Sequence, residues 1–268
     1  MDRTGSLRQD IETWFVHNGA TRIFVRDQGR GAPVVLLPSQ ARDSDDYDDV
    51  AEGIANAGYR VLRPQPRGIG SSVGPLQGIT LHDFASDIAA VVKASGSGPA
   101  IIFGHAYGHY VARMVATAFP EVVKGIVVAA SAARTYSPHL SQAVSEAGDL
   151  TLPEDVRLAA LRLAFFAPTN DPRPWLTGWH PHVQAPQREA RGAIEQASYW
   201  AGGVAPLLDL QAEFDPFKPP ERRGEMREEF GARVSLALVR NASHALIPEQ
   251  PAAVVRETVD WIRHIVKH

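Results

Sequence analysis

The chain contains no cysteine in its 268 residues. That absence excludes a disulfide framework, a thiolate metal site and a cysteine nucleophile, and it suits the reducing cytoplasm. No apolar stretch approaches the ~20 residues that a membrane-spanning helix needs. The basic residues form no run and the net charge is −3, so no electrostatic signature for nucleic acid or an anionic membrane is present. We therefore expect a cytoplasmic protein whose partner is a small, largely uncharged molecule.

The composition can build a large core. Hydrophobic residues make up 44% of the chain and charged residues 21%, which is typical of a globular domain rather than a disordered chain. The first ten residues carry charges but no apolar centre, so no secretion leader is expected. No cofactor or metal is expected, because His180 and His182 lie too close together and lack carboxylate partners. A monomer and a homodimer both remain open.

The order of elements predicts an α/β fold. Short β-branched apolar runs alternate with segments in which apolar residues recur at helical spacing, a pattern typical of a mostly parallel sheet with helices on both faces. The runs interpreted as strands are 21–27, 34–37, 60–63, 100–103, 122–130, 207–211 and 234–239. The segments predicted to be helical are 46–57, 81–94, 107–118, part of 219–230, and 252–266.

This regular alternation is interrupted once. Between residues 131 and 203, prolines multiply and tryptophans appear among short helical segments. The change predicts a helical cap at 133–202, inserted into a core formed by 1–132 and 203–268. Aromatic side chains of this segment would line an apolar substrate pocket if they face inward, but they would equally pack the cap onto the core. The candidates are Phe165, Trp175, Trp179, Tyr199 and Trp200.

A sharp turn is predicted where a buried strand passes into a helix, at residues 104–108, Gly-His-Ala-Tyr-Gly. Such a turn presents its central residue at the tip in a strained backbone conformation, and the flanking glycines let strand and helix pack closely. The central residue is Ala106. His105 is expected to pack under the turn, and His109 to lie on the helix that follows.

Two polar residues follow later strands of the predicted sheet. Asp215 comes after the strand at 207–211, and His244 comes after the next strand. Catalytic groups of open α/β sheets collect at the carboxyl ends of strands, so these two loops can meet the turn that carries Ala106. Asp215 would accept the imidazole N–H and leave the other ring nitrogen free to take a proton. Glu213 is a rival acid, and Asp209 a weaker one because it lies within the strand.

Together these loops resemble those of the α/β-hydrolase superfamily, and the resemblance extends over essentially the whole chain. Residues 65–72, Gln-Pro-Arg-Gly-Ile-Gly-Ser-Ser, look like the loop after the family's fourth strand, and His244 with the prolines that follow it looks like its histidine loop. The order of nucleophile, acid and histidine is also that of the family. The resemblance implies an α/β-hydrolase fold with a mostly parallel, eight-stranded sheet, one strand more than the seven runs identified above. It also implies catalytic positions at Ala106, Asp215 and His244.

The chain departs from the family in three places. Relatives carry serine, aspartate or cysteine at the position of Ala106, and a methyl group cannot attack a carbonyl. Residues 37–40, Leu-Pro-Ser-Gln, stand where many relatives have His-Gly, yet an oxyanion hole uses backbone N–H groups, so the amides of Ser39 and Tyr107 would still form it. Gln65 stands where an acidic residue is common, and we expect little chemical consequence.

The resemblance implies a hydrolase for a small, largely apolar ester, lactone or carbon–carbon bond substrate, and Ala106 divides the possibilities. One alternative is that Ala106 is an engineered substitution for the serine of a serine hydrolase. The other is that the alanine is natural, so that His244 and Asp215 act without a covalent intermediate. They would then activate water, or take a proton from the substrate as in a lyase or a cofactor-free oxygenase. A third alternative is a ligand-binding protein without catalysis. Ser39 and Ser131 are the candidates for a replacement hydroxyl.

Overall fold

The computed structural model describes residues 10–267 and contains one eight-stranded sheet. Residues 1–9, which belong to the N-terminal segment in which we expected no secretion leader, lie outside the described part. The strands are β1 (Glu12–Asn18), β2 (Thr21–Gly29), β3 (Pro33–Leu37), β4 (Arg60–Pro64), β5 (Ala100–His105), β6 (Val123–Ala129), β7 (Leu207–Ala212) and β8 (Val234–Val239). The α-helices are α1 (Asp48–Asn56), α2 (Leu81–Ser95), α3 (Gly108–Ala118), α4 (Pro138–Gly148), α5 (Glu154–Ala164), α6 (Pro181–Gly192), α7 (Glu225–Phe230), α8 (Leu246–Glu249) and α9 (Pro251–Lys267).

The strands lie in the order β1-β2-β4-β3-β5-β6-β7-β8. The pairs β1/β2 and β2/β4 are antiparallel, and every pair from β4/β3 to β7/β8 is parallel. Each residue of β3, β5 and β7 is buried, which explains why these strands are continuous apolar runs rather than alternating ones. The predicted eight-stranded, mostly parallel sheet is confirmed, and the carboxyl ends of its parallel strands share one edge.

The first strand, β1, escaped the sequence analysis. It is an edge strand in which only Val16 is buried, so it presents no apolar face that a pattern could reveal. The signal that remains is the turn: Asn18 pairs with Thr21 across a tight hairpin, and Gly19 between them has a φ of +55°. A glycine at the first central position, here followed by Ala20, is typical of a type II′ hairpin turn. The missed strand is therefore marked by its turn rather than by its side chains.

Helices cover both faces of the sheet, as predicted. On one face α2 and α3 pack together, and their buried residues, such as Phe84 and Val115, join the core with β3 and β5. On the other face α1 packs against α9 through residues such as Ile54 and Ile262. No helix within residues 10–267 is both long and apolar enough to cross a bilayer. The sheet is thus sandwiched, and its exposed edge is free to carry loops.

Between β6 and β7 the chain forms α4, α5 and α6, which surround an apolar cluster of their own. Arg42, in the loop after β3, joins this segment to the core. Its guanidinium forms two hydrogen bonds of 2.6 Å with Asp46 and donates to the Thr177 carbonyl. It also lies 4.5 Å from the ring centroid of Trp175 and 4.9 Å from that of Trp179. The domain boundaries at 132/133 and 202/203 stay a prediction.

We predict that Arg42→Met lowers the free energy of unfolding by about 3 kcal/mol, because it removes a buried guanidinium that contacts two indole rings and leaves the half-buried carboxylate of Asp46 without its partner. Urea denaturation followed by circular dichroism measures this change. Arg173→Met, which removes an exposed arginine from the same insertion, is the matched control and should cost less than about 1 kcal/mol. Equal losses in the two variants would contradict the role given to Arg42.

Candidate active site

At the turn formed by residues 104–108, the backbone segments pack as closely as the two glycines predict. A Cβ on Gly104 would lie 2.3 Å from the carbonyl oxygen of Gly108, and a Cβ on Gly108 would lie 2.4 Å from that of Leu37. Both distances are too short for any side chain. Between the glycines, Ala106 has a φ of +48°, a left-handed conformation that non-glycine residues adopt at a cost. The backbone therefore has the strained geometry of a nucleophile elbow around a residue with no nucleophile.

His244 and Asp215 meet at the carboxyl edge of the sheet. The Nδ1 atom of His244 lies 3.1 Å from both carboxylate oxygens of Asp215, and both residues are buried. Asp215 also accepts a hydrogen bond of 2.9 Å from the backbone N–H of Phe217, whose ring covers the imidazole at a centroid distance of 4.2 Å. Since a carboxylate accepts from Nδ1–H, the Nε2 atom of His244 is left as the proton acceptor.

The two rival acids are engaged elsewhere. Glu213 forms an ion pair with Arg240 and accepts from the backbone N–H of Asn241. Asp209 is fully buried in β7 and pairs with Lys218 at 2.6 Å. Burial raises the pKa of Asp209 and lowers the pKa of Lys218, although each partner opposes that effect on the other. Of the three acids considered, only Asp215 contacts the imidazole of His244.

His105, the second residue of the turn, is completely buried and joins three loops. Its Nε2 atom lies 2.7 Å from the carbonyl oxygen of His244, so Nε2 carries the proton and donates it. Its Nδ1 atom then accepts from the hydroxyl of Tyr47, 2.7 Å away. The Tyr47 oxygen in turn accepts from the backbone N–H of Ser39 at 3.1 Å. The loops that carry Ser39, the turn and His244 are therefore held in one hydrogen-bonded chain.

A small cavity joins these elements. Ala106 and His244 both line it. Among the described residues, the complete lining is Ser39, Gln40, Ala106, Tyr107, His109, Tyr110, Ala132, Tyr136, Val144, Phe165, Arg191, Phe217 and His244. The cavity therefore brings the position of the missing nucleophile and the imidazole together with room for a small ligand.

The five candidate aromatic residues separate into two groups. Phe165 lines the cavity and contacts His244 at a centroid distance of 5.7 Å. The other four lie outside the lining: Trp175 and Trp179 pack in the apolar cluster of the insertion, and Tyr199 and Trp200 pack beside α3. For those four, the arrangement corresponds to the packing alternative rather than to the substrate-binding one.

The two backbone amides predicted to form the oxyanion hole, those of Ser39 and Tyr107, differ in whether they already donate a hydrogen bond within the protein. Tyr107 lies at the start of α3, where the first N–H groups of a helix have no partner within the helix. The amide of Ser39, in contrast, donates to Tyr47. Gln40 follows it in the cavity lining and carries the next backbone amide. Ser131 is buried and does not line the cavity, whereas Ser39 does.

Arg191 and Tyr136 were not identified from the sequence, although both line the cavity. Arg191 lies on α6, and Glu195 four residues later would be read as its salt-bridge partner on a helix. The helix ends at Gly192, and the guanidinium instead donates to the hydroxyl of Tyr136 at 3.2 Å. Within residues 10–267, no group of three His, Asp or Glu side chains is arranged to hold a metal.

We predict that His105 makes the fold sensitive to acid. Burial lowers the pKa of His105 from 6.5 to about 3. Between these values the unfolded chain binds a proton that the folded chain excludes, so the free energy of unfolding falls as pH falls through this window. The loss from this residue is roughly 2 kcal/mol between pH 7 and pH 5.

Urea denaturation of His105→Gln at several pH values tests this, because the variant lacks the titrating ring and should show a shallower dependence below pH 6.5. His139→Gln, at an exposed position on α4, is the control and should follow the parent chain. Parallel pH curves for His105→Gln and the parent chain would contradict the prediction.

Comparison with known proteins supports the fold. The family model described as the alpha/beta hydrolase fold matches residues 32–251. An esterase from Thermogutta terrifontis superposes with a TM-score of 0.75 at 22% identity, covering 95% of this chain and 99% of that chain. A putative non-heme bromoperoxidase from Mycobacterium tuberculosis H37Rv superposes with a TM-score of 0.77 at 21% identity, covering 93% and 97%.

Among characterised sequences, a non-heme chloroperoxidase from Streptomyces lividans is 37% identical over 114 residues, 41% of each chain. A bifunctional esterase/perhydrolase from Acinetobacter calcoaceticus is 33% identical over 117 residues, 40% of this chain and 41% of that one. The matches thus span less than half of these relatives. The family model covers most of the chain, and with the sheet and the turn it identifies this protein as a member of the α/β-hydrolase family.

Proposed function

We propose that this protein is a hydrolase in which His244, oriented by Asp215, activates water directly, without a covalent intermediate on residue 106. The observation that carries the proposal is the pairing of His244 Nδ1 with both oxygens of Asp215 beside a cavity that Ala106 also lines. The substrate class is a small ester, lactone or related carbonyl compound. Esterases among the matched sequences and structures support hydrolysis as the reaction type.

The reaction follows from the roles available. Where a serine would place its hydroxyl, the methyl group of Ala106 leaves space for a water molecule beside the imidazole. His244 Nε2 takes a proton from this water while the oxygen attacks the carbonyl carbon, and the N–H of Tyr107 with an amide of loop 39–40 stabilises the oxyanion. Collapse expels the alkoxide, which takes the proton from His244, and releases the acid. General-base catalysis of this kind contributes about 10²–10⁴-fold.

We predict that Ala106→Ser raises hydrolysis of p-nitrophenyl acetate by about a hundredfold or more, since it restores a nucleophile at a strained turn with its base already oriented. Initial rates at pH 7.5 measure the effect. Ala132→Ser is the matched control: it adds a hydroxyl to another wall of the same cavity and should leave the rate unchanged. If Ala106→Ser gains nothing, the elbow and the imidazole are not assembled as a hydrolase site.

We predict that His244→Ala lowers kcat for the chain's own ester or lactone hydrolysis by about 10²–10⁴-fold, because the general base is lost. Asp215→Asn should also lower kcat, since the amide no longer favours the productive tautomer. Turnover of a panel of p-nitrophenyl esters and lactones measures this, with His139→Ala as the exposed control. Turnover that survives in His244→Ala would contradict the mechanism, and a panel without turnover but with retained ligand binding would favour a binding protein.

A further inference from the structure

We infer that one wall of the cavity, formed by Arg191, Tyr136 and His109, binds the carboxylate of an anionic substrate. This rests on the proposed function for the reacting carbonyl, and it adds a second recognised group. The net charge of the chain suggested a largely uncharged partner, whereas the charges around the cavity itself point to a carboxylate at one end and an apolar body between it and His244.

The first observation is a half-buried cation without an anion. The guanidinium of Arg191 donates to the hydroxyl of Tyr136 at 3.2 Å and lies 4.4 Å from the ring centroid of Tyr110. Across the described residues, no carboxylate pairs with it. Placing a charge out of water is costly unless an opposite charge accompanies it. A ligand carboxylate in the cavity would supply that charge.

The pKa of Tyr136 also reflects the positive charge of Arg191. Burial raises the pKa of this phenol, but the charge and the hydrogen bond of Arg191 outweigh burial and bring the pKa below its usual value. Burial raises the pKa of Tyr107 and of Tyr110, whose ring lies beside the guanidinium, although the charge of Arg191 opposes this effect in both. Of the phenols that line the cavity, the one whose pKa is lowered is therefore the one that accepts a hydrogen bond from Arg191.

The second observation is a buried donor with no acceptor. His109 is 1% exposed, and its Nδ1 atom accepts from the Nε of Arg113 at 3.3 Å, so the ring proton lies on Nε2. Among the described atoms, Nε2 has no hydrogen-bond partner. Burial and the nearby charge of Arg113 lower the pKa of His109, which keeps the ring neutral. His109 therefore places an unsatisfied neutral N–H just inside a cavity wall, where a small rotation of the ring would bring it to a ligand oxygen.

Arg113 adds to the positive potential behind this wall. Within the described part of the chain its guanidinium donates to neutral groups, namely the His109 ring, the Trp200 carbonyl and the sulfur of Met226. Burial lowers the pKa of Arg113 to about 10, which still leaves it charged at neutral pH. The buried carboxylate of Asp209 is already paired with Lys218. One accessible guanidinium, one phenol and one imidazole N–H suit a single negative charge, so a carboxylate fits better than a phosphate dianion.

Binding of simple acids tests the inference without requiring turnover. Phenylacetate and butanoate are titrated against the protein by NMR, alongside their neutral counterparts phenylacetamide and butanamide. We expect at least one acid to bind more tightly than its amide, and Arg191→Met to weaken that acid by about 10- to 100-fold while leaving the amide within twofold. Arg188→Met is the matched control, because it removes an exposed arginine from the same helix.

Two further variants guard against a folding defect in Arg191→Met. Arg191→Lys keeps the charge but loses the fork and should weaken acid binding less than Arg191→Met does, and Tyr136→Phe should weaken it by a few fold. The inference is wrong if neither acid binds better than its amide, or if the arginine variants weaken acid and amide equally. Tighter binding of phenyl phosphate than of phenylacetate at pH 8 would overturn the carboxylate assignment.

This experiment separates the inference from the proposed function. His244→Ala is expected to weaken phenylacetate binding less than Arg191→Met does, since the imidazole acts on the carbonyl end of the substrate. If Arg191→Met retains acid binding while His244→Ala loses turnover, the carboxylate site is wrong and the hydrolase mechanism stands. If Arg191→Met loses acid binding while His244→Ala keeps turnover, the mechanism is wrong and the carboxylate site stands.

Discussion

The arrangement of the site depends on one buried, neutral imidazole. His105 donates to the carbonyl of His244 and accepts from Tyr47, which accepts from Ser39. Three loops that lie far apart in the chain are tied together through one ring with a fixed tautomer. A protonated ring would need an acceptor where Tyr47 now donates, so the same burial that fixes the geometry also excludes the charged state. His105 therefore positions both the turn that carries Ala106 and the loop that carries His244.

The sequence predicts the parts of the site that depend on local signals. The glycines on either side of Ala106 and the positions of Asp215 and His244 after two strands indicate an elbow and an acid–base pair, and these residues do meet. Seven of the eight strands follow from apolar runs, whereas β1 is hidden because an exposed edge strand has little pattern. Residues whose part depends on distant neighbours were not predictable. The hydrogen bond between Tyr47 and His105 spans 58 positions.

Arg191 illustrates a different limit. Its chemical interest is that, among the described residues, no carboxylate pairs with it. A sequence pattern shows which residues are present, but it does not show which contacts fail to form. Spacing assigns it Glu195 as a partner, yet the helix ends before that residue. A net charge near neutrality likewise says nothing about one cation left inside a cavity. Local potential, not total charge, determines which ligand this site accepts.

The contacts of Arg42 with Trp175 and Trp179 affect how a ligand can enter the cavity. Swinging α4, α5 and α6 away as a rigid lid would separate the guanidinium from two indole faces and from the carbonyl of Thr177 at the same time. Such a hinge motion would be slow and rarely populated. Ligands would therefore enter through rotations of side chains at the rim, which take place on picosecond to nanosecond timescales. The entry rate of a substrate should then depend on its width more than on its total size.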